Sequence, residues 1–234
     1  MKNTTEAIRR KKGLSIIIPA AGLGSRMKSY GPKPLIKVGN QSLIRRQIDI
    51  LRKCFYSPEI ILVCGYESCK VMDNTPSNII KVENESYNET NVSRSIAIGL
   101  RACTRDKVLI VYGDLFFNQE TFKNVNLCSS SLFIEKSGWM TKDEVGCNIS
   151  NKRAEYLIPD IENKWAQIAY LKGRELELFS RSVFNRENDK KFGFEIINTC
   201  IQMGGRFETI TPTNMKITDI DTSKDLLIAK KILK

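Results

Sequence analysis

The sequence predicts an α/β protein, a Rossmann-like three-layer sandwich with a mainly parallel central sheet and a small antiparallel region toward its C-terminal half. Three observations carry this. Short apolar runs at 15–18, Glu59–Cys64, 79–82 and 107–113 alternate with segments of helical spacing, as when crossover helices bury parallel strands on both faces. A loop of small residues, Ala20, Ala21, Gly22 and Gly24, follows the first of these runs. From Ser129 onward the pattern changes to short strands with polar breaks, SSLFIEK, EVGCNIS, AEYLIP and residues 165–171, which suit antiparallel pairing.

Taken in order, residues 1–13 read as a basic, flexible tail and residues 14–234 as one domain. Pro19 closes the first strand because proline cannot donate to a central ladder. Ser42 is placed to cap a helix carrying Ile44, Ile48 and Leu51 at helical spacing, and Gly65 ends the strand Glu59–Cys64. Thr90 or Asn91 can start a helix with Val92, Ile96 and Leu100 on one side. Further helices are expected over 173–183, with Leu176, Phe179 and Val183, and over 192–203, with Ile196, Cys200 and Met203. A last one follows Thr222 or Ser223 and returns Leu226, Ala229 and Leu233 to the core.

Composition narrows the chemistry. The chain has 234 residues, 41% of them hydrophobic, enough for a sizeable core. No apolar stretch reaches the length of a membrane helix and no signal peptide is visible, so a cytoplasmic location is expected. Seven cysteines without a CxxC pair suit reduced thiols rather than a disulfide frame or zinc knuckle. The absence of histidine removes histidine-based triads and HExxH zinc sites. A net charge of +11 attracts polyanions in general, but apart from Arg9 to Lys12 the cations are scattered and not interleaved with aromatics.

Residues 14–35, LSIIIPAAGLGSRMKSYGPKPL, organise the chain. Successive amides in a tight glycine-containing loop form an anion nest, and phosphate is its expected guest. Arg26 adds a planar charged fork; Lys33 is a point charge aimed by a segment that Pro32 and Pro34 stiffen. A dinucleotide fingerprint would need glycine where Met27 stands, and the Gly-Lys-Ser/Thr of a Walker loop is missing. Asp114 follows the strand 107–113 at its carboxyl end, where open α/β sheets place ligands. Beside a triphosphate, Mg2+ is its natural partner; an N-cap or turn aspartate is the structural alternative. Asp219 and Asp221 share a side if the chain is extended there, and Asp225 reads as a first-turn helix carboxylate.

AAG-x-G-x-RM followed closely by PKPL resembles the signature of the nucleotidylyltransferases that make nucleotide-activated sugars and alcohols. The resemblance implies the A-type glycosyltransferase-like nucleotidyltransferase fold. It implies triphosphate binding by Ala20, Ala21, Gly22, Gly24, Ser25 and Arg26, with Lys33 on the α-phosphate under attack. Asn91 and Ser95 match positions implied to read the base or ribose, with helix capping as the competing role and Val92 standing where a second asparagine is often found. The GD dipeptide implies Asp114 as first metal ligand, and the ID-T-x-x-DL ending implies Asp221 as second, with Asp219 a helper or a surface charge. The implied partners are a nucleoside triphosphate and a phosphate monoester, with Mg2+ as cofactor and neither membrane nor nucleic acid expected.

The AAG form resembles enzymes that use UTP or CTP. RMKSYGPKPL is similar to uridylyltransferases acting on a sugar 1-phosphate, whereas the Asn91 region and IDTSKDL are similar to cytidylyltransferases acting on phosphocholine. A sugar 1-phosphate is the first expectation and an amino-alcohol phosphate the second. No hexapeptide-repeat half is present, so a bifunctional uridylyltransferase is not expected. Trp139, Trp165, Tyr170, Lys136, Asp143, Glu144, Lys164 and Lys172, with Glu195 behind them, are candidates for the acceptor pocket, packing and surface roles remaining open. An A-type glycosyltransferase would usually carry DxD where YGDLFF stands, and a non-catalytic nucleotide-sensing or nucleic-acid-binding protein would leave Lys33, Asp114 and Asp221 unexplained.

Overall fold

The computed structural model describes residues 11–24, 30–135 and 144–233. Its first half runs β1 (Lys11–Pro19), a small hairpin of β2 (Lys37–Val38) and β3 (Gln41–Ser42), α1 (Leu43–Cys54), β4 (Glu59–Cys64), α2 (Ser68–Asp73), β5 (Ile80–Glu83), α3 (Val92–Ala102) and β6 (Arg105–Val111). The second half runs β7 (Leu115–Phe117), β8 (Ser131–Glu135), β9 (Val145–Ser150), β10 (Arg153–Pro159), β11 (Lys164–Lys172), α4 (Gly173–Phe184), α5 (Gly193–Gln202), β12 (Glu208–Ile210), β13 (Ile217–Asp219) and α6 (Ser223–Leu233).

Among the described residues nine strands form one sheet in the order β5-β4-β1-β6-β11-β8-β12-β10-β9. β5, β4, β1 and β6 are parallel, as their β-branched runs predict. β11 then pairs antiparallel with β6, and β8 antiparallel with β11. The antiparallel region is therefore larger than expected and continues the same sheet, because β11 hydrogen-bonds directly to the last parallel strand. The edge of the expected tail also moves: β1 already begins at Lys11, whose amide donates to the carbonyl of Thr104 at 2.8 Å.

Alternation along β1 makes the three layers. Ile17 packs with Ile96 and Leu100 of α3 on one face, while Ile16 and Ile18 pack with Ile44, Ile48 and Leu51 of α1 on the other. β6 divides in the same way, Val108 and Ile110 toward α3, Leu109 and Val111 toward α1. A third cluster joins Ala229 of α6 to Ile36, Val38, Leu43, Phe116 and Ile220, tying the C-terminal helix to the segment behind Lys33. No helix among the described residues is long and apolar enough to cross a membrane.

Pairings of high sequence separation bring the motifs together at the carboxyl ends of the parallel strands. β13 pairs antiparallel with β7, and the Ile220 amide donates to the Asp114 carbonyl at 2.9 Å. At Gly113, whose amide donates to the Pro19 carbonyl at 3.0 Å, a Cβ would stand 2.6 Å from that of Ala20. Only a residue without a side chain lets β1 and β6 end so close together.

Candidate active site

Lys33 lies in a single 3-10 turn, Lys33–Leu35, entered through Pro32 and stiffened by Pro34. Its stem passes over Gly24, where φ is +56° and a Cβ would come 2.8 Å from Lys33 Cγ. Gly24 therefore serves the lysine twice, through a left-handed backbone and through the space it leaves. The ammonium pairs with Asp221 and stands 3.6 Å from Asp114 Oδ2. Asp225 holds the Asp221 turn by accepting from the amides of Asp221 at 3.0 Å and Thr222 at 2.6 Å, the first-turn role expected of it.

Charge is crowded here. Burial opposes the Lys33 ammonium, but Asp114 and Asp221 outweigh it and leave its pKa raised. Burial also raises Asp114, with Asp219 and Asp221 adding to the shift and Lys33 opposing it. One oxygen explains the strain: Asp114 Oδ1 is occluded and has no hydrogen-bond partner among the described residues.

A second lysine completes the cluster. Lys164, at the start of β11, pairs with Glu144 and stands 3.8 Å from both Glu135 and Asp219. These carboxylates keep its pKa raised although burial pulls the other way. Asp219 faces Lys164 while also adding to the field on Lys33 and Asp114, so it joins the two centres.

Two cavities open beside this cluster. A small one of about 60 Å³ is lined by Pro19, Ala20, Gly22, Lys33, Gly113 and Asp114. A larger one of about 300 Å³ lies between Ala21, Gly22, Asn84, Asn91, Ser95 and Asp114. Ala20, Ala21, Gly22, Lys33, Asn91, Ser95 and Asp114 of the expected site thus line these two spaces, with Asp221 on Lys33 and Gly24 under it. Ser25 and Arg26 lie outside the described residues, as do Lys136, Trp139 and Asp143. Asn91 also caps α3, its Oδ1 accepting from the Val92 amide at 2.8 Å. Ser95 is buried and takes a hydrogen bond from Asn84 Nδ2 at 3.1 Å.

Several acceptor-side candidates fall elsewhere. Trp165 is buried edge-on to Tyr112 and donates its indole N–H to the Ile168 carbonyl, and Tyr170 is packed in the core on the α1 face. Lys172 pairs with Lys107 at the opposite end of the sheet and donates to the Cys128 carbonyl at 3.0 Å. Glu195 is spent on helix capping, accepting from the Phe192 amide at 2.7 Å. Asn84, Tyr112 and Gln167 line the larger cavity without having been singled out from sequence. Asn84 had one usable signal, its position directly after a parallel strand.

Residues 16–129 match a family model described as a MobA-like NTP transferase domain. The Bifunctional protein GlmU of Buchnera aphidicola is 23% identical over 243 residues, spanning 96% of this chain and 52% of that protein. GlmU of Francisella tularensis subsp. novicida is 32% identical over 115 residues, 48% of this chain and 25% of its own length. The chain thus spans about half or less of these curated relatives. Among solved structures, the CTP:phosphocholine cytidylyltransferase of Streptococcus pneumoniae superposes with a TM-score of 0.76 at 18% identity, covering 94% of this chain and 99% of that one. The inositol-1-phosphate CTP transferase of T. maritima does so at 0.75 and 17%, covering 96% and 98%. At such identities the likeness is one of fold. The chain thus matches a MobA-like NTP transferase domain over residues 16–129 and shares the fold of solved nucleotidyltransferases across nearly its whole length.

Proposed function

We propose that this nucleotidyltransferase transfers a nucleoside monophosphate from a pyrimidine triphosphate, UTP or CTP, to a sugar 1-phosphate and releases pyrophosphate. The observation that carries the reading is the convergence of Lys33, Asp114 and Asp221, from three distant parts of the sequence, beside a loop of small residues. A phosphate monoester already bears its nucleophilic oxygen as an anion, so the reaction asks for no general base, and a site without histidine can perform it. What remains is alignment and charge neutralisation. Lys33 meets the charge on the α-phosphate, while the loop amides around Gly22 and Gly24, with Arg26, hold the departing pyrophosphate.

The residues present fit Mg2+. Asp114 offers an occluded, unpartnered oxygen whose ionised form is disfavoured until a cation meets it, and Asp221 is the second carboxylate on the same lysine. No group of three or more His, Cys, Asp or Glu side chains among the described residues forms a closed metal cluster. Two carboxylates with phosphate oxygens are what Mg2+ usually takes beside a nucleotide. Bound there, the ion would withdraw charge from the phosphates and favour in-line displacement. A reducing, cytoplasmic setting agrees with seven cysteines, none of them in a disulfide.

One observation favours a second acceptor class, phosphocholine or another amino-alcohol phosphate. Glu135, Glu144 and Asp219 surround the single ammonium of Lys164, an excess of negative charge that suits a cationic head group better than a neutral sugar. Pyrophosphate release measured with each of the four triphosphates against sugar 1-phosphates and amino-alcohol phosphates tests both readings. Release with a pyrimidine triphosphate and one acceptor class is expected. Absence of release with every pair rejects the transferase reading.

A further inference from the structure

We infer that Gln47 is a positioning residue: from inside α1 its side-chain amide fixes the turn that carries Asp114, and with it the direction of the carboxylate offered to a divalent cation. This rests on the reading above only for Asp114 being the group that meets the cation. Gln47 is 1% exposed and one helical turn from both Leu43 and Leu51, inside the stripe of Leu43, Ile44, Ile48 and Leu51 that α1 buries. Helical periodicity asks for an apolar side chain at such a position, and a buried amide there costs free energy unless it is hydrogen-bonded.

Its bonds go to one turn. Gln47 Nε2 donates to the Tyr112 carbonyl at 3.0 Å and to the Leu115 carbonyl at 2.5 Å, the carbonyls on either side of Gly113 and Asp114. Main-chain carbonyls only accept, so the NH2 end must face them, which settles an assignment that amide shape alone leaves ambiguous. The same turn is tied to β1 through the Gly113 amide and the Pro19 carbonyl, and to the segment after β13 through the Ile220 amide and the Asp114 carbonyl. Gln47 adds a tie from the helix layer, so the turn is held from three parts of the fold.

What the amide supplies is direction more than stability. Oε1 is buried without a partner among the described residues, and stranding that acceptor offsets much of what the two bonds gain. An aliphatic side chain of equal volume would fill the space without that cost. Asp114 in turn takes its direction from its backbone: Lys33 stands 3.6 Å from Oδ2, beyond hydrogen-bond length, and Oδ1 has no hydrogen-bond partner among the described residues. A carboxylate on a turn free to rock would present its oxygens over a range of positions, whereas Mg2+ demands near-ideal octahedral geometry. Hydrogen bonds that hold a metal ligand from behind are worth about 10- to 100-fold in metal affinity.

Gln47→Ala opens a cavity under the turn and can fail to fold for that reason alone. The test therefore uses Gln47→Met, which keeps the volume, beside Ile48→Val, which loosens the same helix and keeps the amide. Binding of Mn2+ alone, read from water-proton relaxation, is expected to weaken about 10- to 100-fold in Gln47→Met. It should stay unchanged in Ile48→Val, although that variant melts lower. The Mg2+ concentration giving half-maximal pyrophosphate release should rise in Gln47→Met while the KM for the phosphate acceptor holds. Unchanged Mn2+ affinity in Gln47→Met, or loss of its fold, would make Gln47 a packing residue and overturn the assignment, with nucleotidyl transfer left in place. Weakened Mn2+ binding in Gln47→Met, together with no pyrophosphate released by the unaltered chain from any substrate pair, keeps the aiming of Asp114 and rejects transfer instead.

Discussion

Two partly buried lysines sit beside neighbouring aspartates, Lys33 on Asp114 and Asp221 and Lys164 on Asp219, and they are held in opposite ways. Lys33 rides on a proline-stiffened turn and shares two carboxylates, one of which keeps an unpartnered oxygen. Lys164 is wrapped by Glu135, Glu144 and Asp219, from three different parts of the chain. The first centre keeps an unmet carboxylate oxygen, which on the proposed reading an added cation would meet; the second already has more negative than positive charge. On the proposed function the first would receive charge and the second would keep the acceptor side in shape.

The largest effects should come from the incomplete centre. Lys33→Ala, Asp114→Ala and Asp221→Ala are each expected to lower pyrophosphate release by about a thousandfold or more, with far-UV circular dichroism unchanged. Turnover near the unaltered rate in any one of them would remove that residue from the chemistry. Gly24→Ala comes next, with a loss of about 10- to 100-fold. It puts a Cβ into the path of Lys33 at a backbone angle that L-residues avoid, and so displaces the ammonium without removing it. The two kinds of variant part on phosphate affinity, since Gly24→Ala keeps the charge; if it matched the unaltered rate, the lysine would not need that aim.

How much of this was legible in the sequence differs between the two centres for a physical reason. The loop, Lys33 and Asp114 stand out from local backbone, as small residues in a turn, a lysine between two prolines and a carboxylate at a strand tip, whereas Asp221 rests on the family resemblance; the structure brings the three side chains together. The parallel strands were legible too, since burial on both faces writes an uninterrupted apolar run such as EIILVC. Lys164 could be named as a candidate but not placed, because its partners come from β8, β13 and the residue before β9. The join between β6 and β11 was equally hidden, since an antiparallel pairing across that distance has no local signature. For Trp165 and Tyr170 the sequence left pocket and packing roles open, and long-range packing decided for the core; Glu195 is used locally, in capping its own helix.

At the neutralised centre, Lys164→Met should act mainly on stability and on the acceptor. Three partly buried carboxylates would lose their common cation, at a cost below the about 3–5 kcal/mol of breaking a fully buried pair. A melting temperature clearly below that of the unaltered chain is expected, and in the folded fraction the KM for the phosphate acceptor should rise about tenfold while that for the triphosphate moves less. A rise confined to the triphosphate would assign Lys164 to the nucleotide instead.

The smallest effect is the sharpest test of the contrast, because removing a charge from the incomplete centre should stabilise the protein. Asp114 has its pKa raised above the ordinary 3.8, by burial first and by Asp219 and Asp221 next. Between that ordinary value and the raised one the folded chain binds more protons than the unfolded chain, so stability falls as pH rises through the interval. At pH 7 the ionised group therefore costs folding free energy that Asp114→Asn avoids. Lys33 keeps Asp221 as its partner in that variant. The melting temperature of the variant at pH 7 should therefore lie above that of the unaltered chain. The gain should vanish below pH of about 4, where the native carboxyl is already protonated. Mg2+ should raise the melting temperature of the unaltered chain at pH 7 more than that of the variant, since a cation meeting the unpartnered oxygen relieves the same cost. A variant melting at or below the unaltered chain at pH 7 would mean that Asp114 is already satisfied, and the contrast between the two lysine centres would fail.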